Sequence, residues 1–148
     1  MTWTCPSCSR PFARQRTHAC APGLIESEYF ATGPAHEQPI YEAVRPMVDR
    51  IAAEHGADDL IVEFVSVGVF FKRRRNFAEL RPKTKWVALG FALGRELDSP
   101  RIARRAKGGR TSATTYHTVN LRSPDEIDAE LEGWLTEAFL AAAPRQPR

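Results

Sequence analysis

Cys5, Cys8, His18 and Cys20 carry the clearest chemistry in the chain, in the spacing Cys5-x2-Cys8-x9-His18-x-Cys20. A Cys-Pro-x-Cys turn brings two thiolates to one ion. In an extended His-x-Cys segment, side chains two residues apart point to the same side, so two further ligands can converge. Three thiolates and an imidazole suit tetrahedral Zn2+, and four protein ligands leave no coordination position for water, so the expected zinc is structural rather than catalytic. The odd cysteine count is explained once His18 completes the set; the alternative is three free thiols beside a surface histidine. Phe12 follows Cys8 at the interval where zinc fingers place a core aromatic, and Trp3 is positioned to pack on it.

Cations supply the second chemical feature. The formal net charge is +3, but it is segregated: residues 1–20 carry +3 through Arg10, Arg14 and Arg16, residues 21–64 carry −7, residues 72–122 carry +11 and residues 123–148 carry −4. Between residues 72 and 85 stand Lys72, Arg73, Arg74, Arg75, Arg81, Lys83 and Lys85, opposed only by Glu79. A basic face of this kind concentrates anions, although the same cations can pair with acidic helices of their own domain. The expected partner is nucleic acid or another polyanion, held through Arg73, Arg74, Arg75, Arg101 and His117, with Phe70, Phe71, Phe77 and Trp86 able to stack on bases where exposed.

In the alternative reading, Arg73, Arg101 and His117, with Arg122, close a cleft on a phosphate or carboxylate, and the protein is a small enzyme or sensor of an anionic small molecule. A third is an adaptor that docks another protein. Binding is favoured over catalysis because no nucleophile, base and orienting group can be assembled from these residues. Glu79-Leu80-Arg81 lacks the lysine a nuclease would place two residues after the acid, and no glycine-rich phosphate loop occurs. Asp98-Ser99-Pro100 reads as a turn in which the aspartate caps following amides.

These residues need elements to hold them. A short helical turn is expected from Leu24 to Phe30, ended by Gly33-Pro34. From Pro39 to His55, Ile40, Val44, Met47, Val48 and Ile51 recur on one helical face, with Gly56 placed to close the helix. Pro46 falls inside that pattern and removes an amide donor, so a kink or two shorter helices are expected. The period then changes to that of strands, expected at 60–64, 67–72, 77–80, 85–92, 101–107 and 112–121, with Gly108-Gly109 turning a last hairpin. Ser123-Pro124-Asp125-Glu126 has the form of a capping box opening a final helix, whose apolar stripe is Ile127, Leu131, Trp134, Leu135 and Ala138. The fold class is therefore α+β, a mostly antiparallel sheet flanked by helices and preceded by a small zinc-binding module.

Taken in order, the finger, Glu28-Tyr29-Phe30, Gly33-Pro34-x-His36, Arg73-Arg74-x-x-Phe77, Leu97-Asp98-Ser99-Pro100-Arg101, His117 and Leu121-Arg122-Ser123-Pro124 with Trp134 resemble the bacterial domain-of-unknown-function family 5655. The resemblance runs from near Ile25 to about Ala141, and some members look similar at the front too, with a Trp-Thr-Cys-Pro-x-Cys finger. It implies an α+β domain with an antiparallel sheet and carries over no reaction. Pro46 departs from the family pattern.

A chain of 148 residues, 43% hydrophobic and 26% charged, has enough apolar material for one real core. The organisation expected is a zinc-finger module over 1–22, an α+β domain over 23–143 and a frayed tail over 144–148. The longest apolar stretch, Leu60 to Phe71, is broken by Glu63 and Ser66, so no membrane span is expected. Nothing at the amino terminus reads as a secretory signal, which makes the cytoplasm the expected compartment and argues against a disulfide.

Overall fold

The computed structural model describes residues 2–8, 10–18, 24–108 and 113–143. Two short strands, β1 (Trp3–Thr4) and β2 (Pro11–Phe12), pair antiparallel with Trp3 opposite Phe12. Helices α1 (Glu26–Ala31) and α2 (Glu37–Glu54) follow. Six strands then form one antiparallel sheet: β3 (Ile61–Val65), β4 (Gly68–Lys72), β5 (Asn76–Pro82), β6 (Val87–Leu93), β7 (Ile102–Lys107) and β8 (Thr115–Leu121). Their spatial order is β3-β4-β5-β6-β8-β7, so the chain leaves β6, passes beyond β8 to make the edge strand β7, and returns between them. Helix α3 (Ala129–Ala141) completes an α+β fold.

Register sorts the side chains into two faces. Phe64 and Val69, Phe71 and Ala78, Leu80 and Leu89, and Phe91 and His117 are cross-strand partners and share one face. The helices cover that face: Tyr41 of α2 meets Phe64 at 5.6 Å between ring centroids, and Trp134 of α3 stacks on Phe91 at 5.8 Å. The opposite face is more polar. There Tyr116 lies across Gly90, where any side chain would collide with it, and its hydroxyl donates to Glu79.

Three local expectations change. Helix α2 runs as one element through Pro46, so the alternative of two shorter helices does not hold. Both Pro46 and Glu42, whose carbonyl loses its donor, are exposed, so solvent takes up the carbonyl while Val44, Met47, Val48 and Ile51 stay on the buried face. Gly56 closes the helix as read, at φ 61°. The capping box at Ser123 opens a 3-10 turn (Pro124–Glu126) instead of the helix. Ser123 Oγ accepts from the Asp125 amide at 3.1 Å and Glu126 accepts from the Arg122 amide at 2.5 Å. The helix begins later, with Asp128 as its N-cap accepting from the Leu131 amide at 3.1 Å. In the 98–101 turn the capping oxygen is Ser99 Oγ, which accepts from the Arg101 amide at 3.2 Å, and not that of Asp98. The expected Gly109 turn residue, the start of the last strand at Ser112 and the 144–148 tail lie outside the described residues. No helix among the described residues is long and apolar enough to cross a membrane.

Candidate metal centre and basic groove

The β1–β2 hairpin exists to bend the chain at Cys5-Pro6-Ser7-Cys8, and the Cys5 amide donates to the Arg10 carbonyl at 3.0 Å to close that bend. Cys5 and Cys8 are buried, and their sulfurs and a ring nitrogen of His18 all lie within 4.8 Å of one another, a group that can hold a metal ion. His18 is oriented for it. Its Nδ1 stands 2.9 Å from the Arg16 carbonyl, which can only accept, so Nδ1 carries the proton and Nε2 presents its lone pair 3.4 Å from Cys8 Sγ. Phe12 packs against the His18 ring at 4.4 Å and Trp3 at 5.9 Å, a small apolar nucleus separate from the main core. Cys20, the expected fourth ligand, lies outside the described residues.

This module sits on the polar face of the sheet at its β3–β4 edge. Glu63 is the anchor: buried at 2% exposure, it accepts from Arg10 at 2.9 Å and faces Lys72 Nζ at 3.5 Å. Lys72 Nζ in turn lies 4.2 Å from the centre of the Phe12 ring. Burial lowers the Lys72 pKa, Glu63 opposes that, and the positive charges of Arg10 and Arg16 reinforce it. Beside this contact runs a groove of about 1240 Å³, lined by Arg14 and Arg16 from the segment after β2, by Lys72, Arg74 and Arg75 from the end of β4 and the turn after it, and by Asp58 and Asp59 from the segment before β3. Arg14, Arg16 and Arg74 are exposed and have no carboxylate partner among the described residues. Arg75 donates to the Ala141 carbonyl at 3.0 Å, which fastens it to the last turn of α3.

The five residues read from the sequence as an anion site are dispersed. Arg74 and Arg75 line the groove. Arg73 turns inward from the same turn, with Nε at 3.0 and 3.1 Å from the two oxygens of Asp59, Nη1 donating to the Phe139 carbonyl at 3.2 Å, and its guanidinium over the Phe139 ring. Arg101 lies at the other end of α3, bonded to Asp128 at 2.9 Å and to Glu130 at 3.1 Å. From Asp128 to Phe139 is about 16 Å of helix at ~1.5 Å per residue. His117 is fully buried between sheet and helix, stacked on Phe91 at 5.4 Å, with Nε2 accepting from the Leu97 amide at 3.0 Å. Arg73, Arg101 and His117 therefore do not meet around one pocket.

The aromatics expected for base stacking divide as well. Phe71 and Phe77 are core residues. Phe70 and Trp86 keep partial exposure, with Arg81 and Arg122 respectively over their rings. What the sequence reading missed is Glu63, noted there only as an interruption of an apolar run. An acid inside an otherwise apolar strand, in a chain with basic blocks on both sides, was the available signal.

Residues 26–142 match the model of a family described as Domain of unknown function (DUF5655), a span that takes in both long helices and the whole six-stranded sheet and leaves the Cys/His module outside. No curated protein and no solved structure matches the chain.

Proposed function

The chain belongs to the DUF5655 family, and from that premise we propose that it is a zinc-stabilised binding module that takes a polyanion, nucleic acid foremost, in the groove between its Cys/His finger and its sheet. Zinc is the metal of this proposal because two thiolates and an imidazole are soft donors of tetrahedral preference, and Cys20 is the residue proposed to close the set. The observation that carries the anion reading is the trio Arg14, Arg16 and Arg74, contributed by two separate segments to one groove that also holds Asp58 and Asp59, none of the three being ion-paired to a carboxylate among the described residues. Guanidinium groups in that state attract phosphate by charge and by bidentate hydrogen bonds. Among the described residues the groove carries no exposed aromatic ring, because Phe12 is covered by Lys72 and His18, so it is suited to the phosphate backbone rather than to bases.

The test is fluorescence anisotropy with single- and double-stranded oligonucleotides at two salt concentrations. Affinity should fall with salt at a log–log slope of about −0.7 to −0.9 per phosphate neutralised. Replacing Arg14, Arg16 and Arg74 together by Ala should lower both affinity and slope. Arg73→Ala should lower stability and leave the slope alone, since that guanidinium is spent on Asp59 and the Phe139 carbonyl. A flat titration at physiological salt removes the proposal and favours a protein-docking adaptor.

A further inference from the structure

We infer that metal binding at Cys5, Cys8 and His18 and anion binding in the groove are thermodynamically coupled, because the metal-ordered finger is one wall of the groove. The inference rests on the reading of that groove as an anion site.

The connection is a chain of direct contacts. His18 Nδ1 bonds the Arg16 carbonyl at 2.9 Å, so the ligand that faces the ion also fixes the backbone of a groove arginine. The His18 ring packs on Phe12 at 4.4 Å, and Phe12 packs under Lys72 of the facing wall. Arg10, two residues before Phe12, clamps the finger to β3 through Glu63. Arg14 and Arg16 belong to the same short segment, where the Arg16 guanidinium rests over Phe12 of the finger and no carboxylate among the described residues anchors either side chain, whereas Arg74 and Arg75 are carried by the β4–β5 turn whatever the finger does. A nucleus of Trp3, Cys5, Cys8 and Phe12 is too small to fold so short a segment, so metal binding is folding for this module. Loss of the ion releases His18, then Phe12 and the backbone of Arg16, and the groove keeps only its sheet-side cations. Linkage then requires the reciprocal effect: a polyanion held between the walls must tighten the metal by the same factor.

The measurement is made in both directions on the full chain. Zn2+ affinity is taken by competition with a chromophoric chelator, with and without a saturating single-stranded oligonucleotide. Oligonucleotide affinity is taken by anisotropy on zinc-loaded protein, on chelator-treated protein and on Cys8→Ser. The expected result is a tenfold or greater loss of oligonucleotide affinity without the metal and an equal gain in Zn2+ affinity with the oligonucleotide. Glu63→Gln releases the clamp without touching a ligand. It should bring the coupling factor towards one while Zn2+ affinity in the absence of oligonucleotide holds. Equal oligonucleotide affinity in the zinc-loaded, stripped and Cys8→Ser proteins overturns the coupling and leaves the groove as an anion site. Failure of the zinc-loaded protein to bind any oligonucleotide overturns both.

Discussion

Arg73 and Arg74 follow one another in the β4–β5 turn and point to different environments: Arg73 is buried against Asp59 and α3, while Arg74 is exposed at the groove. A guanidinium already bonded to a carboxylate and a carbonyl has little left to offer a ligand, so neighbouring identical residues divide between structure and recognition. His117 shows the same separation from function. Burial lowers its pKa from the ordinary 6.5, and the nearby charge of Arg105 lowers it further, so the folded protein holds it neutral. With Nε2 accepting from Leu97, the proton sits on Nδ1, which is buried without a hydrogen-bond partner among the described residues. The unfolded chain takes up a proton as pH drops below about 6.5 and the folded chain resists, so this residue's contribution is complete above that pH and is lost as pH falls through it. Melting temperature should therefore fall between pH 7.5 and 5.5. His117→Gln, which keeps an acceptor for Leu97 and does not titrate, should flatten that profile. Glu37 works in the opposite sense, because burial raises its carboxyl pKa and the folded state gains a proton first as pH falls. The comparison of wild type with His117→Gln isolates the histidine, and identical profiles would show that its protonation is not linked to folding.

At the scale of elements, α3 is the member that joins the others. Its apolar stripe is centred on Leu131, Leu135, Ala138 and Phe139, all essentially buried, with Trp134 at the margin. Phe139 meets Phe77 edge-on at 5.4 Å and lies under the Arg73 guanidinium, and its carbonyl accepts from the same arginine. Phe139→Ala should cost about 3–5 kcal/mol, as full removal of a buried aromatic does. Trp134→Ala should cost less, because its ring is only partly buried, stacked on Phe91 at 5.8 Å with the Arg101 guanidinium 5.9 Å from its centre. Urea denaturation of the two variants gives the order directly, and a larger loss for Trp134 would mean that the helix is anchored at its middle rather than at its carboxyl end.

For the whole molecule, the arrangement is a helix-covered sheet with a small Cys/His hairpin resting on the uncovered side. The two apolar nuclei are separate, and the link between them is polar: Arg10, Glu63 and Lys72. A break in the small nucleus should therefore stay local. Elemental analysis of protein purified without chelators should give one zinc per chain. Cys8→Ser should abolish that zinc and the near-ultraviolet signal of Trp3 while leaving the main melting transition within a few degrees of wild type. Collapse of the main transition with the finger would show that the hairpin is part of the larger core.

The sequence by itself determined the things that depend on local pattern. Helix periodicity placed α2, alternation placed the six strands to within a few residues, and ligand spacing brought out Cys5, Cys8 and His18 as a group, because backbone geometry fixes which side chains at i+2, i+3 or i+4 share a side. Order and spacing of short motifs also carried the family. Tertiary structure alone decided which cations are spent. Asp128 for Arg101 and Glu63 for Arg10 are partners from segments distant in the chain, and Asp59 meets Arg73 through the antiparallel register of β3 and β4. Pro46 belongs to the same class: its cost depends on whether the orphaned carbonyl faces water or core, and that is a property of the packed helix, not of the residue. The groove is the clearest case. Its walls are residues 14–16 and 72–75, too far apart in the chain for any spacing rule to connect, and they face each other because one buried glutamate holds the finger against the sheet.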